Sequence, residues 1–148
     1  MRTSIWIDPG VMNGWCKFEI ENGMARAVAM GQVHIDDLTK FLEKLDPTPS
    51  SVGYESYKIF RKKAGAHIGS DVPALQAIGM IKSYASRHGK VLRDQPSSIL
   101  KTAEMWTGIY MPSDHSQSHQ IAALLHGSYF YITEGMMRTR LEENHGQI

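Results

Sequence analysis

Two acids stand where the chain gives them no structural work. Asp8 closes the segment Ser4-Ile5-Trp6-Ile7-Asp8-Pro9-Gly10, where an apolar strand gives way to a Pro-Gly turn. Asp is depleted in strands, and Pro-Gly turns the chain unaided. Glu55 follows a second strand-like segment, Ser51-Val52-Gly53-Tyr54. If those strands are neighbours, the carboxylates lie side by side, which is costly unless a cation stands between them. Hard cations such as Mg²⁺ take carboxylate oxygens and keep several waters, which suits metal-assisted phosphoryl chemistry. Further ligands could come from "PSDHSQSHQIAALLHG", where Asp114, His115, Ser118 and His119 fall within about a turn and a half of a helix start. His115 and His119 share one face at i, i+4. Without a metal, Asp114 is a helix cap and the histidines are solvated or hydrogen-bonded. The HExxH pattern of zinc proteases is excluded, because Ser116 stands where it requires Glu.

A second group suits phosphate rather than metal. Lys58, Arg61, Lys62 and Lys63 cluster in "YKIFRKKAGAH" with Tyr57 and Phe60 among them. The formal net charge is only +1, so the chain as a whole lacks the basic excess of most nucleic-acid-binding domains. The cluster therefore reads either as a local phosphate-facing loop or as ordinary solvated surface. Nucleotide signatures (GxGxxG, GxxxxGK[ST]) and paired CxxC motifs are absent.

The elements that must position these groups follow from periodicity. Thr3 to Ile7 reads as a buried strand, and Trp15 to Ile20 alternates like a half-buried one. A turn at Glu21-Asn22-Gly23 leads to a third strand over Ala25 to Val33. Asp36 or Asp37 can cap a helix with Leu38, Phe41, Leu42 and Leu45 at helical spacing, stopped by Asp46-Pro47. Ser51 to Tyr54 is a short strand. Asp71 to His88 is a long amphipathic helix with Leu75, Ile78, Ile81 and Tyr84 along one side and Gly89 as its stop. Lys90 to Arg93 is a strand, Pro96 with Ser97-Ser98 opens another helix, and Ser116 to Tyr131 is a final apolar helix. This order predicts an α/β fold, a mixed sheet with an antiparallel three-strand meander plus parallel strands, flanked by α-helices. In such sheets ligand groups gather at the carboxyl ends of the parallel strands, where Asp8 and Glu55 would be.

At 148 residues the chain fits one domain, 1–148, with a charged tail over 133–148. No apolar run approaches the roughly 20 residues of a membrane span. The N-terminus runs straight into a strand, leaving no room for a signal peptide, and the single cysteine, Cys16, cannot form an internal disulfide. Both point to a reducing cytoplasm.

The succession of "DPGVMNGW", an acid after the strand in "VGYES", "ALQAIGMIKSYASRHGKVL", "QPSSILKTA" and a C-terminal "HSQSHQIAALLHG" helix resembles the RuvC-like Holliday junction resolvases, above all their phage-type members. The resemblance covers residues 4–131. It implies an RNase H-like fold, a homodimer and Mg²⁺- or Mn²⁺-dependent nicking of branched DNA such as a four-way junction. It implies no small-molecule cofactor, and a place in a bacterial cell or a phage-infected host. The family's first acid matches Asp8 and its second matches Glu55. Its last helix usually presents Asp with Asp, or His with Asp, about a turn apart. Here that pattern is broken, with His115 and His119 flanking Ser116 and Ser118. Matching "IAALLHG" to that helix sets His119 at the last acidic position and Ser116 or His115 at the other. Lys101 matches a lysine that approaches DNA phosphate, and Tyr57 or Phe60 could be the aromatic wedge that unstacks the junction. A second family lysine before the last helix is missing.

On this resemblance, Asp8 would bridge two cations roughly 3.5–4 Å apart, Glu55 would hold the one on the nucleophile side, and His119 would ligate the other or pass protons. Two other readings stay open at this level. One is a different RNase H-like nuclease, acting on RNA–DNA hybrids or in the manner of a transposase. The other is an inactive DNA-binding protein in which Asp8 caps a turn and Glu55 pairs with Lys58 or Arg61.

Overall fold

Five segments pair into one mixed sheet because their apolar residues need cover on one face or both. In the computed structural model, which describes residues 1–57, 72–114 and 116–145, β1 (Arg2–Asp8), β2 (Met12–Glu21) and β3 (Met24–His34) form an antiparallel meander. β4 (Ser51–Ser56) and β5 (Val91–Pro96) add parallel strands beyond β1, giving the order β3-β2-β1-β4-β5. The helices are α1 (Leu38–Glu43), α2 (Val72–Arg87), α3 (Leu100–Thr107), α4 (Ser118–Thr133) and α5 (Arg140–His145). β1 is central and covered on both faces, so Thr3 to Ile7 is buried without a break. β2 alternates as expected, burying Cys16, Phe18 and Ile20. It turns into β3 through Asn22 and Gly23, whose φ angles of 52° and 78° are the positive pair that a two-residue hairpin loop of this kind demands.

Side chains alternate across the sheet and divide the core in two. Ile5, Ile7, Val52 and Tyr54 point to one face, where α1 and α2 cover them with Leu38, Leu42, Ala77, Ile81 and Tyr84. Trp6, Cys16, Phe18 and Ile20 point to the other, where α4 brings Ala123, Leu124 and Tyr131. α3 joins α4 through the rings of Trp106 and Tyr129, stacked 5.1 Å apart.

Three local expectations are corrected. The turn before α1 is capped by neither aspartate. His34 Nδ1 accepts from the Asp36 backbone N–H at 3.2 Å, and a 3₁₀ turn over Ile35–Asp37 delays the α-helix to Leu38. In α2 the buried seam runs through Ala77, Ile78, Ile81, Tyr84 and Ala85, while Leu75 is 40% exposed. β5 continues through Gln95 and Pro96, which pair with Glu55 and Ser56, before a 3₁₀ turn leads into α3. The charged stretch after residue 133 contains a short helix, α5. Among the described residues, no helix is long and apolar enough to cross a membrane.

Candidate active site

Strand register brings the two acids together. β1 and β4 run parallel with Trp6 opposite Gly53 and Ile7 opposite Tyr54. One further residue sets Asp8 beside Glu55. Because side chains alternate, Trp6 and Asp8 both face α4 while Ile5 and Ile7 face the other core, and Gly53 and Glu55 follow the same parity. The β4–β5 register then adds Gln95 opposite Glu55. At the carboxyl ends of these strands Asp8 is 16% exposed and Glu55 22%.

The first turn of α4 reaches the acids because of a missing side chain. Gly14 of β2 is the register partner of Asp8. A Cβ there would lie 1.9 Å from the carbonyl carbon of His119 and 2.0 Å from its oxygen, so only glycine lets the helix rest on the strand at this point. The preceding residue holds the turn: buried Asn13 accepts from the Gly10 N–H at 3.1 Å and donates to the Val33 carbonyl at 3.3 Å. These contacts account for the "DPGVMNGW" stretch. The Gln32 side chain ties the approach to α4 by donating to the Ser116 carbonyl.

Each acid meets a histidine of α4. His119 Nδ1 donates to Asp8 Oδ2 at 2.8 Å, and its Nε2 has no hydrogen-bond partner among the described residues. Seven positions on, two turns along the same side of the helix, His126 Nε2 donates to Glu55 Oε2 at 2.7 Å, with Nδ1 3.0 Å from Gln95 Oε1. Burial pushes the Asp8 carboxyl above its ordinary 3.8; the bond from His119 opposes the rise, and the Glu55 charge adds to it. The bond to Asp8 lifts His119 above its ordinary 6.5, with burial opposing and the charges of Asp8 and Glu55 assisting. Cys16, buried in the same half of the core with its thiol pushed up to about 12, offers no nucleophile.

The donor chemistry suits a hard divalent cation at the carboxylate pair. Each acid gives one oxygen to a histidine and keeps the other without a hydrogen bond to a described residue. Among the described residues no three His, Cys, Asp or Glu side chains form a group able to hold a metal. Asp8 and Glu55 would thus be two protein anchors, with water filling the remaining positions, as Mg²⁺ prefers.

The other sequence candidates are spread more widely. Asp114 is exposed before α4, where its Oδ1 accepts from both the N–H and the hydroxyl of Ser116; α4 itself begins at Ser118, so Asp114 is not its cap. Lys101 is exposed on the first turn of α3. Tyr57 is partly buried against the α1–α2 core. His115, Lys58, Phe60, Arg61, Lys62 and Lys63 lie outside the described residues. His126 and Gln95 were not among the candidates. The available signal was a histidine inside the apolar run "IAALLHGS", seven residues after His119.

No protein-family model matches the chain, and no curated protein matches it in sequence. Solved structures do match. RuvC of T. thermophilus, in complex with a Holliday junction substrate, superposes with a TM-score of 0.60 at 18% identity, over 94% of this chain and 99% of that one. YeaZ from Pseudomonas aeruginosa matches with a TM-score of 0.42 at 12% identity, over 70% of this chain and 48% of its own. The chain has the RuvC-like form of the RNase H-like α/β fold.

Proposed function

We propose that this chain is a metal-dependent endonuclease of the RuvC type, close to its phage members, that resolves Holliday junctions or other branched DNA by paired phosphodiester nicks. One observation carries the reading: Asp8 and Glu55 sit at neighbouring positions on the same face of adjacent parallel strands, at their carboxyl ends. The RuvC structure that it resembles was solved with a Holliday junction.

In this reading Asp8 and Glu55 would hold Mg²⁺ or Mn²⁺ through the oxygens to which no described residue hydrogen-bonds. When bound, the ion supplies Lewis acidity toward water and a phosphodiester. His119 takes or returns a proton at Nε2 while Nδ1 stays on Asp8, which orients the ring. His115 is a further candidate donor, whereas Asp114 forms no three-residue metal-binding group with the two acids among the described residues. Lys101 and the cluster Lys58, Arg61, Lys62 and Lys63 neutralise DNA phosphates, and Tyr57 or Phe60 stacks on a splayed base. A four-way junction offers two equivalent strands, so paired nicking calls for a homodimer with two such sites related by the same two-fold axis. A cytoplasmic location, in a bacterial cell or an infected host, accords with this substrate.

The test is cleavage of a synthetic four-way junction with Mg²⁺, Mn²⁺ or a chelator, beside linear duplex and RNA–DNA hybrid. Junction-selective, metal-dependent nicking that disappears in Asp8→Asn and Glu55→Gln while binding persists is the expected result. Preference for the hybrid would move the chain to another branch of RNase H-like nucleases. Undiminished cleavage by both variants would reject the site.

A further inference from the structure

The side chain of His126 has no exposure at all, yet it sits among groups that give it a definite orientation. Its ring lies parallel to Trp6, with an interplanar angle of 6° and centroids 6.5 Å apart. Two glycines clear this arrangement. A Cβ on Gly53 would fall 2.4 Å from Trp6 Cδ2, and one on Gly127 would fall 2.2 Å from Phe18 Cε2 and 2.9 Å from Trp6 Cδ1. The indole therefore lies flat between β4 and α4. Both ring nitrogens of His126 are engaged, and by side chains from two different strands: Glu55 of β4 at 2.7 Å and Gln95 of β5 at 3.0 Å. Gln95 is itself buried. With Nε2–H given to Glu55, the Gln95 amide can meet Nδ1 with its oxygen when that nitrogen is protonated or, turned over, with an N–H when it is bare.

A core histidine needs only some hydrogen-bond partner, and a nearby backbone carbonyl serves as well as any. Here one partner is a carboxylate at the mouth of the candidate site and the other a side chain whose register position is directly across from that carboxylate. A glutamate has three rotatable bonds, and an acid that must present one oxygen to an ion gains from having the other fixed.

We infer that His126 and Gln95 form a positioning relay for Glu55: Gln95 orients the His126 ring, and His126 Nε2–H fixes Glu55 Oε2 so that Oε1 faces the cation site. The inference rests on the metal-site reading given above. His126 and Gln95 are positioning residues and touch neither substrate nor ion.

The experiment is a Mn²⁺ titration of the full chain, following free Mn²⁺ by electron paramagnetic resonance, with melting temperature as the check on folding. The variants are Glu55→Gln, His126→Leu, His126→Gln, Gln95→Leu and the double variant His126→Leu/Glu55→Gln. His126→Leu should weaken Mn²⁺ binding by about tenfold or more. Gln95→Leu should weaken it less, and His126→Gln, which keeps an N–H for Glu55, should recover much of the loss. The double variant should bind no more weakly than Glu55→Gln alone, because the relay acts only through that carboxylate. Wild-type affinity in His126→Leu, or losses that add in the double variant, would overturn the relay. If His126→Leu does not fold, Gln95→Leu and His126→Gln decide: wild-type affinity in both overturns it. Wild-type affinity in Glu55→Gln would instead overturn the metal site, and the relay with it.

Discussion

His119 Nδ1 stands 2.8 Å from Asp8 Oδ2, joining the first turn of α4 to the end of β1 across 111 residues of chain. When the ring is protonated the pair offsets the charge of one of the two neighbouring acids, and it makes the site's protonation measurable without metal.

In metal-free protein, the His119 imidazole should titrate above the ordinary histidine value of 6.5, because its bond to Asp8 favours the charged ring. Asp8→Asn should bring it down. The sign follows from linkage. A histidine raised on folding contributes stability below its unfolded value and loses that contribution as pH rises through its folded one. NMR titration of the ring checks this, and a value unchanged by Asp8→Asn would disprove the pairing.

Asp8 behaves in the opposite sense to most surface acids. Burial raises its pKa on folding, so the ionised carboxylate costs stability once pH exceeds its unfolded value, and the whole cost is present above its folded value. Asp8→Asn should therefore raise the melting temperature at pH 8 in chelator while abolishing cleavage. Each ~1 kcal/mol of relief corresponds to roughly 2–4 °C at this chain length. A lower melting temperature than wild type would contradict the buried-acid account.

Two glycines should respond oppositely to alanine. Gly14→Ala drives a methyl group into the backbone of His119 and should cost about 1–3 kcal/mol or more, seen as a lower urea midpoint, with reduced cleavage because α4 is lifted from β2. Gly79, inside α2 and exposed, has nothing within 4 Å of an added Cβ, so Gly79→Ala should stabilise by roughly 0.4–1 kcal/mol. Equal midpoints for the two variants would refute the close approach at Gly14.

A histidine beside the acids should tune metal choice. Should His119 Nε2 also reach the ion, wild type would be more active with Mn²⁺, which imidazole suits better than Mg²⁺. His119→Asp sets a second carboxylate against Asp8. It should lower the melting temperature without metal and increase the stabilisation produced by added Mg²⁺. His115→Ala should harm cleavage less than His119→Ala. The reverse order, or an equal loss in Asp114→Asn, would shift the metal face one turn earlier.

Phosphate binding should appear in the salt dependence. For each DNA phosphate left without its cation by Lys101→Ala, or by neutralising Lys58, Arg61, Lys62 and Lys63, the slope of log K against log salt should fall by about 0.9. Unchanged slopes would make these residues ordinary solvated surface. Phe60→Ala should weaken junction distortion more than duplex binding, since stacking contributes about 1–3 kcal/mol per base.

Local chemistry alone determined much of this protein. The alternation in β2, the Asn22-Gly23 hairpin, the span of α2 and the two acids at strand ends all follow from periods of 2 and 3.6 and from turn residues, which neighbouring sequence encodes. Tertiary structure decided the rest. That β4 pairs with β1 in a register setting Glu55 beside Asp8 depends on pairing between residues 47 positions apart, and no local period reports it. The same pairing turns both acids toward α4 instead of α2. Gly14, Gly53 and Gly127 read in sequence as weak points of their elements; only packing shows each as the space that His119, Trp6 or Phe18 fills. His126 lay hidden among apolar neighbours because helical spacing gives a face, and what that face meets is fixed by the strands it crosses.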